Sequence, residues 1–195
     1  MTTQLTLDDP SSAKHKKAKD LLSKLADQNY IGLHPTKFFE TSLNITGANS
    51  RPQPFVCNRR IHYGGRVCIS FDMLNKLDDN TLGCVFAHEL AHLKKKHSVK
   101  ILPAFTPVVA VFVYSIVSKS YPFILLLLSV AIMVLVSRAI SWYQEFEADA
   151  LAAKWVGKED MLYTLKTIEK IMNRHGDTLT HPSFGKRISH LTGEK

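Results

Sequence analysis

The sequence predicts an α+β fold that is mainly helical, and three observations predict it. Apolar residues recur at three- and four-residue spacing in two polar segments, as Ala18, Leu21, Leu22, Leu25 and Ala26, and as Met161, Leu162, Leu165, Ile168, Ile171 and Met172. That is the period of a helix with one buried face. Two short apolar-rich runs, residues 55–60 and 66–71, flank Tyr63-Gly64-Gly65 and read as two strands joined by a Gly-Gly turn. Two further runs, residues 101–117 and 121–136, are apolar on every side, and helices of that kind are buried in something. With 195 residues the chain is one domain's worth, large enough for a real core.

Taken in order, residues 1–10 are polar, read as a disordered N-terminus without a secretory signal, and end at Pro10. Ser11 or Ser12 can cap a first helix that runs to about Gln28. Its lysines read as a solvated face, with contact to anionic lipid headgroups as the alternative. After a mixed segment and a polar loop come the hairpin and a short helix over residues 71–77. Asp78-Asp79-Asn80-Thr81 then supplies N-cap candidates for the helix that carries the most informative residues.

That helix contains His88-Glu89-Leu90-Ala91-His92. Four residues is a little over one helical turn, so His88 and His92 project from one face and can bind one zinc. Glu89, beside them, can take the proton of the attacking water. A solvated helix that happens to carry two histidines is the plain alternative, and the test between them is a third ligand. A third histidine six residues beyond His92 is absent, since position 98 is Ser98, and Lys95 stands where the accompanying glycine would be. His97 is one residue off and turned away from the line through His88 and His92. The other solution is a glutamate from a second helix, which Glu145-Phe146-Glu147-Ala148-Asp149 offers. Glu145 and Asp149 share a face there; Glu147 points elsewhere and reads as solvated.

The net charge of +8 could suggest nucleic acid, but its distribution excludes that class. Lys14, Lys16, Lys17, Lys19 and Lys24 lie in the first helix, and Lys94, Lys95, Lys96 and Lys100 stand just before the first apolar run. No aromatics interleave with a basic groove. Cys57, Cys68 and Cys84 are odd in number, form no Cys-x-x-Cys pair and read as small buried hydrophobes.

Each apolar run falls a little short of the ~20 residues that cross a bilayer. They form either a transmembrane hairpin with Ser118-Lys119-Ser120 on the far side, or two buried helices of a soluble core. A domain this small has little core to surround two such helices, which favours the membrane. Lysines before the first run and Arg138 after the second place both flanking halves on the cytosolic side.

Together, His88-Glu89-Leu90-Ala91-His92 with His97, Glu145-x-x-x-Asp149-x-x-Ala152, and Thr180-His181-Pro182 with Arg187-Ile188 resemble the integral-membrane zinc proteases of the HtpX-like and type I CAAX prenyl endopeptidase family. The resemblance spans roughly residues 55–190. It implies a gluzincin-type fold with a small β hairpin near the zinc helix, a strand that pairs with extended substrate, and an inserted two-helix hydrophobic hairpin. It implies that His88, His92 and Glu145 hold one Zn2+ per chain and that Glu89 is the general base. Asp149 would back a zinc histidine, and His181 and Arg187 would line the active site and help hold substrate or oxyanion. Larger members carry further membrane helices ahead of the zinc helix, and none is found here.

The resulting organisation is a disordered stretch (1–10), a first catalytic half (11–100), a transmembrane hairpin (101–137) and a second catalytic half (138–195). The expected function is a membrane zinc endopeptidase acting on misfolded or specific membrane-associated proteins, with protein or peptide substrates and the lipid bilayer as partners. A soluble protease of the same chemistry and an inactive zinc-stabilised interaction protein are the competing readings. An intact Glu89 weighs against the last, because a structural site needs no base.

Overall fold

A computed structural model describes residues 10–31, 76–97, 105–118, 122–173 and 175–194. Six helices are found among them: α1 (Pro10–Gln28), α2 (Asp79–Lys95), α3 (Thr106–Ser118), α4 (Pro122–Val156), α5 (Lys158–Met172) and α6 (Phe184–Thr192). No strand occurs among the described residues, so the fold they form is all-helical and the expected α+β class is corrected. The segments expected to form the hairpin, residues 55–60 and 66–71, lie outside the described residues, as do residues 1–9 and most of the short helix expected over 71–77. Among the described residues, the helix that carries His88 and His92 is packed by other helices.

α2 is the helix around which α1, α4 and α5 pack. Its start is fixed by Asp78, whose carboxylate accepts from Thr81 N at 2.8 Å and from the Thr81 hydroxyl at 3.0 Å. Almost every side chain from Thr81 to Leu93 is buried. One side meets α1, where Ala18, Leu22 and Ala26 pack on Leu82, Phe86, Leu90 and Leu93. The other side meets α4, α5 and α6, where Cys84 and Ala87 pack with Ala152, Met161, Leu165 and Phe184. Cys84 is thus the small buried hydrophobe that its isolation in the sequence suggests.

α4 merges two elements that the sequence separated. The second apolar run and the helix carrying Glu145 form one unbroken helix of 35 residues, about 52 Å long at 1.5 Å per residue. Its first part exposes Ile124, Leu127, Leu128, Val130 and Leu135, and the apolar window within it is only 6% buried. Ser129, the polar residue there, returns its hydroxyl to Leu125 O at 2.7 Å, so it adds no unpaired group. α3 packs along this part and exposes Val109, Val113, Tyr114, Ile116 and Val117 in turn.

The join from α4 to α5 is made at Gly157, whose φ of 105° suits glycine and strains any residue with a Cβ. The turn folds α5 back onto α2 and α4, and α6 then packs on α4 and α5.

Candidate metal centre

Helical register brings His88 and His92 to one face of α2, and the packing of α4 across that face brings in Glu145. The Nε2 atoms of the two histidines stand 3.1 Å apart. Glu145 Oε1 lies 3.3 Å from His92 Nε2, and Glu145 Oε2 lies 3.6 Å from His88 Nε2. Ligands about 2.1 Å from a tetrahedral ion are themselves separated by roughly 3.4 Å. The three donors therefore have the spacing of three corners of a zinc tetrahedron, and the ligand atoms all fall within 4.8 Å of one another. A second observation agrees. Glu145 Oε2 is buried yet accepts no hydrogen bond among the described residues; its charged neighbours His88 and Arg187 stand only at ion-pair distance. Two imidazole nitrogens facing each other beside such an oxygen suit a cation. The donor set of two nitrogens and one carboxylate is one that zinc uses in catalytic sites.

Behind the donors stands a buried charged pair. Asp149, one helical turn after Glu145, receives Arg187 in a two-pronged contact, Nε to Oδ2 at 2.7 Å and Nη2 to Oδ1 at 2.5 Å. The same carboxylate lies 2.9 Å from His88 Nδ1. Arg187 also sends Nη1 to within 3.3 Å of Glu145 Oε2. Burial pushes the carboxyls of Asp149 and Glu145 up, but the Arg187 charge and the histidine hydrogen bonds outweigh it and hold both below the usual carboxylate range. Burial opposes a charge on His88, and its hydrogen bond to Asp149 outweighs that and raises its affinity for a proton. Arg187 is buried with its fork turned onto these two acids.

Glu89 is half-buried beside the histidines and feels their charges together with those of Glu145 and Arg187. Burial pushes its carboxyl above the ordinary range, and His88 and His92 offset this only in part. His181 reaches the centre from the loop before α6, with Nε2 3.6 Å from Glu145 Oε1 and its side chain about half exposed. That loop is tied down on the His181 backbone: Thr178 N and its hydroxyl both donate to His181 O, at 2.9 and 3.1 Å, and His181 N donates to the Thr178 hydroxyl at 2.9 Å. Trp142 on α4 donates its indole N–H to Thr178 O at 3.1 Å, with Arg138 and Lys186 over its ring. Asp177 accepts from Lys186 at 2.6 Å and from Ser183 N at 2.9 Å.

All seven residues singled out from the sequence, His88, Glu89, His92, Glu145, Asp149, His181 and Arg187, are brought to this one place. Two others, to which no role at the site is assigned from the sequence, join them. His97 is not among the converging donors, yet its Nδ1 lies 2.7 Å from His92 Nδ1. Glu147, read as solvated, is held by His97 at 2.9 Å and by Lys95 at 2.6 Å. The reason is local: α2 ends at Lys95, and Lys96 takes a left-handed conformation (φ 54°) that turns His97 back under His92. A lysine carries no sequence signal for that conformation.

Comparison with the curated proteins gives no match, and neither does comparison with the solved structures. A family model does match, covering residues 13–195. Coverage of nearly the whole chain, with a His-His-Glu cluster of zinc-endopeptidase type at its centre, leads to one conclusion: the chain belongs to peptidase family M48.

Proposed function

We propose that this peptidase is a membrane-embedded zinc endopeptidase that holds one Zn2+ per chain and hydrolyses peptide bonds in misfolded or specific membrane-associated proteins. The observation that carries the reading is the convergence of His88, His92 and Glu145 on α2 and α4, while the other half of α4 exposes an unbroken apolar surface.

Bound by His88, His92 and Glu145, zinc would supply Lewis acidity for attack on a peptide carbonyl. The chain's own residues do the rest. Glu89 takes a proton from the attacking water and passes it to the leaving amine; a carboxyl raised by burial is better matched to that exchange than a solvated one. His181, half exposed and beside Glu145, is placed to donate from its ring to the oxygen that gains charge as the carbonyl carbon becomes tetrahedral. Asp149 accepts the His88 Nδ1 proton and so keeps Nε2 bare toward the centre. Arg187 neutralises Asp149 and Glu145 in a site where two bare carboxylates would repel.

The membrane part of the reading rests on α3 and α4. α4 is the one described helix long and apolar enough to span. The 13 described residues of α3, roughly 20 Å, pair with it as part of a second span, giving a hairpin over 101–137. The lysines of residues 94–100 and Arg138 set both catalytic halves, 11–100 and 138–195, on the cytoplasmic face.

The decisive experiment is cleavage of casein by the detergent-purified chain supplied with zinc, beside a Glu89→Gln chain. Cleavage by the first alone, abolished by a chelator and restored by zinc, is expected; equal cleavage by both would overturn the assignment of Glu89. Retention in the membrane fraction after a carbonate wash is expected for the hairpin, and release would refute it.

A further inference from the structure

The two metal-facing histidines are backed in different ways. His88 Nδ1 rests directly on the Asp149 carboxylate at 2.9 Å. His92 Nδ1 meets another imidazole, His97 Nδ1, at 2.7 Å, and His97 Nε2 continues to Glu147 Oε2 at 2.9 Å. His97 is 3% exposed, and α4 holds it at two points one turn apart: Gln144 Nε2 donates to its carbonyl at 3.0 Å, and Glu147 takes its ring.

With neutral rings, this chain of contacts admits one set of protons. A histidine that presents Nε2 to a metal carries its proton on Nδ1. The His92 Nδ1–H must then donate to His97, so His97 Nδ1 is the bare nitrogen. His97 in consequence carries its proton on Nε2 and donates it to the Glu147 carboxylate, which can only accept. Both short contacts are satisfied, and neither would be with the His97 proton moved to its other nitrogen.

We infer that His97 and Glu147 are positioning residues for the metal centre: they fix the tautomer and ring plane of His92 through an imidazole relay, as Asp149 does directly for His88. The inference rests on the reading that His88, His92 and Glu145 hold zinc. The relay also crosses from α2 to α4, the two helices that supply the ligands, so it ties the His92 ring to the helix that bears Glu145.

The test is zinc affinity by competition with a chromogenic chelator, together with the visible spectrum of the cobalt-substituted protein, on the full chain in detergent. His97→Leu is expected to weaken zinc about 10- to 100-fold and to alter the cobalt bands, the usual effect of losing such a partner. His97→Gln can accept from His92 and donate to Glu147, and is expected to recover most of the affinity. Glu147→Gln is expected to show a smaller loss, and Lys95→Met, which removes only the outer partner of Glu147, an affinity within about twofold of the starting protein. A folded His97→Leu chain with unchanged affinity and cobalt bands overturns the inference. So does a His97→Gln chain as weak as His97→Leu, which would mean that ring packing and not hydrogen bonding matters. Should His97→Leu fail to fold, Glu147→Gln decides, and unchanged affinity there is again a refutation. An unaltered chain that binds no zinc at all would instead refute the metal centre itself, a separate outcome.

Discussion

Removing the Arg187 side chain, as in Arg187→Met, tests the electrostatic account of the site most directly. The guanidinium is buried and touches two buried acids, Asp149 and Glu145, so the change leaves both without their cation. Breaking a buried ion pair from one side costs on the order of 3–5 kcal/mol, because the remaining charge stays desolvated. Zinc supplies positive charge beside Glu145, so the loss should be largest in chelator-stripped protein and smaller once zinc is bound. The pH dependence has a defined sign. In the unaltered chain the Asp149 and Glu145 carboxyls sit below their unfolded values. Their contribution is therefore present above roughly pH 4 and lost as pH falls through the folded values. Without Arg187 the strongest influence that lowers both carboxyls is gone, so their folded values rise and the penalty should shrink on acidification. Urea unfolding in detergent, followed by the fluorescence of Trp142 and Trp155, measures both. The Arg187→Met, Asp149→Asn double variant should recover a good part of the loss, since one of the two orphaned charges is gone. A loss under about 1 kcal/mol at pH 7 in the stripped protein, or one that does not shrink on acidification, would refute the account.

Other expectations follow from individual contacts. Glu145→Ala should bind zinc far more weakly and lose stability, and full occupancy at equal free zinc would remove Glu145 from the ligand set. Replacing Trp142 with Leu should loosen the loop that holds His181 and lower kcat for peptide cleavage while chelator competition shows zinc affinity unchanged. Asp78→Ala should cost about 1 kcal/mol of stability by loss of the α2 cap. Thr81 donates to the Asp78 carboxyl and lowers its pKa, so this term should be present above about pH 4 and fade in more acid solution. In a series of membrane-anchored substrates with spacers of growing length, cuts should cluster near the bilayer. Glu145 lies seven residues past Arg138 on a continuous helix, about 10 Å, or roughly three extended residues of substrate. Cutting that ignores spacer length would contradict the placement.

What could be read from the residues follows the reach of the interactions involved. His88, His92, Glu145 and Asp149 are related by one-turn spacings on two helices, and helical geometry is legible as spacing. The break between α2 and His97 is not, because the left-handed turn at Lys96 is held by its own amide, which donates to Leu93 O, and by the contacts of His97 with Gln144 and Glu147. A helix continued through residue 97 places the ring on the wrong side of His92, and Glu147, off the face of Glu145 and Asp149, shows no partner in the sequence alone. Arg187 was expected among the groups that hold substrate or oxyanion. Its fork points to Asp149 and Glu145, a pairing across 38 residues that no local pattern announces.

The long helix α4 also shows why the composition change near Arg138 does not mark a boundary. A run of leucine, isoleucine and valine gives way to Ser141, Trp142, Gln144 and Glu145 within a few residues, and such a shift reads as the end of one element. Backbone hydrogen bonding is indifferent to it, since neither glycine nor proline interrupts residues 123–156. The helix therefore continues while its surroundings change, from an exposed apolar part that packs with α3 to a face buried against α2, α5 and α6. Arg138 and Lys186 stack on Trp142 at the changeover, an arrangement suited to the border between hydrocarbon and water. On the proposed reading that this border is a membrane surface, one continuous helix carries Glu145 and Asp149 away from it without an intervening break. On the same reading a tilt of the apolar half would be felt at Glu145, and the contacts of His97 with Glu147 and Gln144 add to the packing of α2 on α4 close to His92.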